Sequence, residues 1–202
     1  MNRIKLAGCI ISKPEYSHTV AWEKFYKFQL ETYRTSGTTD VLNCIVSETM
    51  VSGLREDLQI EICGEIRTRN EWNGEEKHCR IEVFVFKLNE YSGYDANEVE
   101  MHGFICKKPY YRETPLGREI CDLLIASNRE RVGKSDYIPS ICWKRLAQKM
   151  QSMPVGTEIN VIGRLQSREY TKKLSDDSVE TRIAYELSCN KIFIEGEECY
   201  ES

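Results

Sequence analysis

The sequence holds no C-x-x-C pair and only three histidines, His18, His78 and His102, far apart along the chain. The closely spaced ligand pairs of a structural zinc site are therefore missing. There is also no Gly-rich phosphate loop, no H-E-x-x-H and no G-x-S-x-G, which removes the common signatures of nucleotide hydrolysis, metalloproteolysis and esterase chemistry. Carboxylate doublets exist at Glu75-Glu76, Asp176-Asp177 and Glu197-Glu198. They fall in turn-like or terminal segments and read as solvated charge. No catalytic residue, metal or cofactor is assigned, and the chain is read as a non-enzyme. No apolar run approaches the ~18 residues of a membrane span. The stretch after Met1-Asn2-Arg3-Ile4-Lys5 is broken by Lys13 and Pro14 too early for a signal peptide. A cytoplasmic location follows as the expectation.

What is present describes a folded, soluble chain. It has 202 residues, 41% hydrophobic and 30% charged, enough for one or two domains. Cys9, Cys44, Cys63 and Cys121 lie in or beside apolar runs and read as reduced core thiols. The net charge of −4 argues, taken whole, against a polyanionic partner.

The chain repeats itself at an interval of about 95 residues. Leu6-Ala7-Gly8-Cys9-Ile10-Ile11-Ser12-Lys13-Pro14 matches Met101-His102-Gly103-Phe104-Ile105-Cys106-Lys107-Lys108-Pro109, and Ile60-x-Ile62-x-Gly64-x-Ile66-x-x-Arg69 matches Ile159-x-Val161-x-Gly163-x-Leu165-x-x-Arg168. The offset drifts only as loops lengthen, which loops tolerate. Alternating apolar and polar residues predict strands over 4–12, 24–32, 41–46, 58–68 and 78–87. The second copy gives strands over 98–107, 119–127, 137–143, 158–167 and 180–194. A short helix fits between the third and fourth strand of each copy, over 144–150 in the second. Five strands and one short helix predict an all-β fold of two tandem OB-type barrels, closed because closure removes exposed sheet edges. The expected boundaries are 1–90 for the first barrel, 91–97 for a linker, 98–194 for the second barrel and 195–202 for a short acidic end.

Charge divides unevenly between the copies. Residues 103–173 carry 14 basic and seven acidic side chains, residues 1–95 carry 12 and 15, and residues 174–202 carry two and eight. The mild overall acidity therefore averages a basic second copy with acidic surroundings. Aromatic residues sit among the cations. Tyr137 and Trp143 are six apart in one predicted strand, which puts them on one face. Tyr170 precedes Lys172 and Lys173, and Tyr110-Tyr111-Arg112 follows the first strand of the second copy. Rings interleaved with cations suit single-stranded nucleic acid: bases stack on the rings at about 1–3 kcal/mol each and the cations track the phosphates. A plainer reading stands beside this one. Trp143 at the end of an apolar strand, Tyr110 or Tyr111 over a barrel end, and Lys172 and Lys173 in a polar hairpin also suit core, packing and solubility roles.

The ordered motifs of the second copy resemble the bacterial single-stranded DNA-binding protein family, in a tandem two-barrel form. They are Gly103-Phe104-Ile105-x-x-x-Pro109-x-x-Arg112-x-x-Pro115-x-Gly117, then Ile120-x-x-Leu123-x-Ile125-Ala126-Ser127, then Tyr137 through Ala147, then Gly163-Arg164-Leu165-Gln166-Ser167-Arg168-x-Tyr170. The resemblance implies base stacking at Tyr137, Trp143 and Tyr170, with Arg131 where a further stacking ring is usual. Tyr110, Tyr111 and Trp72 are further stacking candidates. Lys107, Arg112, Arg129, Arg131, Lys144, Arg164, Arg168, Lys172, Lys173 and Arg69 are the candidates for phosphate contact. In the first copy Val41 and Ser47 replace Tyr137 and Trp143, so that barrel is expected to bind weakly or to serve as scaffold, with Tyr16, Trp22 and Tyr33 as possible substitutes from loops. The family's Gly/Pro/Gln-rich tail and Pro-Phe ending have no counterpart in residues 195–202, although the acidity is kept.

The implied function is binding of single-stranded DNA with little sequence preference, protecting it in replication, recombination or repair. Two such chains would supply the family's four barrels as a homodimer, near the nucleoid, with replication or repair proteins as further partners. A primosome-type accessory, an RNA-binding protein on the same barrel and a protein-interaction scaffold remain as alternatives.

Overall fold

Strands form where every second side chain can be buried. The computed structural model describes residues 1–73, 76–129, 133–173, 178–194 and 200–201, without the side chains of 70–73, 76–78, 172, 173 and 200. In the first half β1 (Asn2–Ile10) is followed by β2 (Glu15–Val20), β3 (Glu23–Tyr33), β4 (Thr39–Ser47), the single-turn helix α1 (Glu48–Val51), β5 (Gln59–Asn73) and β6 (Glu76–Glu90). Ile4, Leu6 and Ile10 of β1 face Phe28, Leu30, Leu42, Cys44, Ile62, Ile66 and Val83 in one buried cluster. The ring closes as β1–β3–β4–β6–β5–β1. One parallel step closes it, where Cys44 meets Val83 and Ile45 meets Phe84.

The second half repeats the plan. It runs β7 (Ala96–Ile105), β8 (Tyr110–Glu113), β9 (Glu119–Asn128), β10 (Ser135–Trp143), α2 (Lys144–Met150), β11 (Glu158–Lys173), β12 (Val179–Ile194) and β13 (Tyr200–Glu201). Its ring is β7–β9–β10–β12–β11–β7, closed by the parallel pairs Ser140/Leu187 and Ile141/Ser188. These are two five-stranded OB barrels, each with its helix between the third and fourth barrel strand.

The glycines shared by the two copies mark the corners. A side chain on Gly8 would meet the Glu31 carbonyl oxygen at 2.0 Å, and one on Gly163 would meet that of Ser188 at 2.2 Å. Gly64 and Gly163 each sit where the register of the long hairpin shifts. A bulge there bends the hairpin so that it can close a barrel.

The barrels are joined edge to edge. β1 pairs antiparallel with β7, from Asn2/Met101 to Ala7/Ala96, so a pseudo-two-fold axis passes near Ile4 and Val99. Two matching clamps reinforce the seam. Asp136, fully buried, takes Arg129 Nε and Nη2 at 2.7 Å each and accepts the Thr68 backbone N–H of the other barrel at 2.6 Å. Asp40, also fully buried, is paired with Arg34 and accepts the Ser167 backbone N–H at 2.8 Å. The hydroxyls of Thr68 and Ser167 in turn accept from the backbone N–H groups of Tyr137 and Val41, at 3.1 and 3.0 Å. Each aspartate thus trades its water for an arginine fork and an N–H group that would otherwise be left unpaired.

β2 and β8 have no counterpart among the predicted strands. β2 is exposed or half-buried along its whole length, so it buries no face and shows no period of two. The long hairpins also run several residues past their predicted ends, beyond the barrel wall, where alternation is no longer required. β7 begins at Ala96, so the last residues of the expected linker are already strand. Most of the expected acidic end, 195–199 and 202, lies outside the described residues.

Candidate nucleic-acid interface

The ladder decides which side chains share a face. On β10 Asp136, Ile138, Ser140 and Cys142 are buried on one face and alternate with Tyr137, Pro139, Ile141 and Trp143 on the other, where Ile141 is buried too but Tyr137 is exposed and Trp143 half-buried, so Tyr137 and Trp143 share the outer face. The Cα partners Trp143/Ile120, Tyr110/Asp122 and Arg112/Ile120 carry that face across β9 to β8. The partners Ile141/Ser188, Arg164/Ser188, Arg168/Ala184 and Tyr170/Arg182 carry it across β12 to β11. One outer face of the second barrel therefore presents Tyr110, Arg112, Tyr137, Trp143, Arg164, Arg168 and Tyr170.

Exposure differs among them. Tyr110, Tyr137 and Tyr170 are exposed. Trp143 is half-buried and its indole N–H donates to Ser188 Oγ at 3.2 Å, which fixes the ring. Tyr111 is half-buried instead, and its hydroxyl donates to Glu119 at 2.5 Å. That bond pushes the phenol up to about 12 and holds the Glu119 carboxyl below its ordinary value. Tyr111 is thereby tied into the β8–β9 hairpin.

The cations divide in the same way. Lys107 and Lys144 are exposed, and neither side chain makes an ion pair among the described residues. Arg112 is forked onto Asp122 at 2.7 and 3.3 Å, Arg168 meets Glu186 at 3.5 Å and Arg69 meets Glu82 at 3.7 Å. Arg129 belongs to the inter-barrel clamp, with its guanidinium on Asp136 and the Thr68 carbonyl. Arg164 donates to Gln166 at 3.2 Å, while its buried Nε has no acceptor among the described residues. Trp72, Arg131, Lys172 and Lys173 have side chains outside the described residues.

Lys144 has φ +50, a left-handed conformation that costs a non-glycine residue of order 1 kcal/mol and tends to persist at functional sites. The corresponding junction of the first barrel, Ser47-Glu48, has no positive φ and is capped by the Ser47 hydroxyl. Arg118 escaped the sequence reading. It counts there only as one more charge, and its place with Lys144 on the lining of one groove follows from how the β8–β9 turn folds.

The core reading holds for Cys44 and Cys121, while Cys9 and Cys63 are only half-buried. Cys44, Cys121, Cys142 and Cys189 are buried, and burial pushes the Cys121 thiol up to about 11. Cys79 is exposed and departs from that pattern.

Two OB barrels in tandem, one bearing a basic and aromatic outer face, define the class of this molecule. The sequence profile of the single-strand binding protein family matches residues 96–192. That match spans nearly the whole of the second barrel. A protein of Deinococcus radiodurans named single-stranded DNA-binding protein is 31% identical over 94 residues, covering 43% of this chain and 31% of that protein. The chain thus matches less than a third of this curated relative's length. The crystal structure of the wild-type single-stranded DNA binding protein from Thermus aquaticus superposes with a TM-score of 0.77 at 19% identity, covering 100% of this chain and 96% of that one. A deletion variant of the same protein gives 0.75 at 19% identity, with 98% and 96% covered. At that identity the likeness is one of fold, and it extends over both barrels.

Proposed function

We propose that this protein binds single-stranded DNA with little sequence preference, without catalysis, and protects it during replication, recombination or repair. The supporting observation is the single outer face that carries Tyr137, Trp143 and Tyr170 beside Arg164, Arg168 and Lys144. Flat rings accept any base, and the cations release counterions from the phosphates they neutralise. Two chains associate as a homodimer of four barrels, nucleoid-associated in the cytoplasm and open to replication or repair proteins. No helix among the described residues is long and apolar enough to cross a membrane.

Fluorescence anisotropy of a labelled oligo-dT at two salt concentrations tests this. The wild-type chain binds, more weakly at high salt. Replacing Tyr137 and Trp143 by alanine lowers affinity at least about 10-fold with the melting temperature kept, since each lost stack removes about 1–3 kcal/mol. Full affinity in the double variant would remove these rings from the interface. A wild-type chain that binds no oligomer at low salt would turn the reading toward a protein-interaction scaffold.

A further inference from the structure

We infer that the strand leaves the stacking face through a groove between the two barrels, where Arg118, Lys144 and Arg164 hold its phosphates, and that the matching face of the first barrel is closed to it by inverted charge. This rests on the DNA-binding reading and adds a path and a one-sided stoichiometry to it.

The groove has a volume of about 1220 Å³. One wall is the β3–β4 turn of the first barrel, with Arg34, Thr38 and Thr39; the other is the second barrel, with Trp143, Arg118, Lys144 and Arg164. Trp143 therefore belongs to both the stacking face and the groove, so a strand stacked on it has its backbone at the entrance. Glu113, Glu119 and Glu169 also line the groove. Of these, Glu119 is occupied by the Tyr111 hydroxyl and by Gln148, at 2.5 and 2.7 Å.

The arginines there are arranged for an anion. Arg34 is matched by Asp40 and Arg168 by Glu186. Arg118 and Lys144 form no ion pair among the described residues, and Arg164 is half-buried with its Nε lacking an acceptor there. Burial, and then the charge of Arg34, pull the Arg164 guanidinium below its ordinary value. The Asp40 carboxylate offsets part of the Arg34 charge, so the cost that remains is mainly burial of the Arg164 guanidinium, and a phosphate oxygen beside it offsets that cost.

The duplicated barrel supplies the contrast. Ladder partners align the two copies residue by residue: Trp143 pairs with Ile120 as Ser47 pairs with Phe25, and Arg164 pairs with Ser188 as Glu65 pairs with Phe84. Carried through, Arg118, Lys144 and Arg164 correspond to Glu23, Glu48 and Glu65. Three cations have become three carboxylates. The aromatic surface there is also occupied from within. The Arg67 guanidinium lies 3.4 Å over the Phe84 ring, and His18 stacks on Phe25 with ring centroids 5.2 Å apart. On one barrel a polyanion meets filled rings and carboxylates, Glu48 paired with Lys24 and Glu65 with Arg67, that leave it no free cation at these three positions; on the other it meets cations and a half-buried Trp143.

The experiment is a salt titration of labelled oligo-dT with two variants, alongside the Tyr137/Trp143 alanine pair. Arg118→Gln with Lys144→Gln changes two exposed side chains; the triple variant adds Arg164→Gln. Single strands give a slope of log K on log salt of about −0.7 per phosphate neutralised. The slope should become shallower by about 1.4 in the double variant and about 2 in the triple. In the other direction, Glu23→Gln, Glu48→Gln and Glu65→Gln together should raise the nucleotides bound per chain at saturation. If the slopes are unchanged while the alanine pair still weakens binding, the groove is excluded and the DNA-binding reading survives. If the wild type shows no binding, both fall. Unchanged saturation in the glutamine-substituted first barrel, with shallower slopes in the second, overturns the charge-inversion half alone.

Discussion

At the scale of single residues, the same residue type does opposite work in different places. Arg129 and Arg164 are both basic residues of the second barrel. The first is folded onto a buried carboxylate and the second has a buried nitrogen without an acceptor among the described residues. The sequence presents both as phosphate candidates, because pairing depends on what the fold brings alongside. Lys144 adds a conformational cost to its charge, and this separates its two roles. Lys144→Gly should raise stability by about 0.5–1 kcal/mol in urea unfolding, since glycine accepts positive φ without strain. The same change should weaken oligo-dT binding and flatten its salt dependence. A loss of stability would show that the strain is relieved by some contact of the lysine. Trp22 is the contrasting residue. It is 97% exposed at φ +71 on the two-residue turn between β2 and β3, far from the expected Asn-Gly of such a turn. It lies on the first barrel.

Among strands and hairpins, the repeated glycines show how local spacing encodes a closed barrel. The two copies keep Gly8 with Gly103 and Gly64 with Gly163 because at each of these places backbone from another strand fills the space of a side chain. Gly163→Ala should cost about 1–3 kcal/mol by overpacking, read as a lower midpoint in chemical denaturation. Gly53→Ala, in an open turn at φ +89, carries strain without a clash and serves as the comparison. The strands legible in the sequence were those with a buried face. β2 and β8 were not legible, because edge strands that bury no face leave no alternation. The face carried by β10 was legible from the even spacing of Tyr137 and Trp143. That β11 and β8 extend the same face was not, since it depends on register between strands.

For the whole molecule, the decisive feature is the seam. β1 and β7 make one continuous ladder, and each barrel sends a buried aspartate to the backbone of the other. The arrangement couples the barrels and fixes the groove between them. Asp136→Ala leaves Arg129 half-buried without its partner, and such breaks cost about 3–5 kcal/mol. Calorimetry should show a lower melting temperature and a transition that splits as the barrels uncouple. A single sharp transition at the wild-type temperature would remove the clamp as the source of coupling.

The sequence by itself determined two copies of one barrel, the strands with a buried face, and the concentration of cations and rings in the second copy. Those properties are local or periodic, and periodicity survives in one dimension. Only the tertiary structure decided which cations were already spent on Asp40, Asp122, Asp136 or Glu186, that Trp143 borders a groove shared by both barrels, and that Arg118, Lys144 and Arg164 stand where the first barrel carries Glu23, Glu48 and Glu65. Charge pairing and shared faces depend on distances between residues that can be more than a hundred positions apart, such as Asp40 and Ser167. Only strand register and the closure of the sheet set those distances.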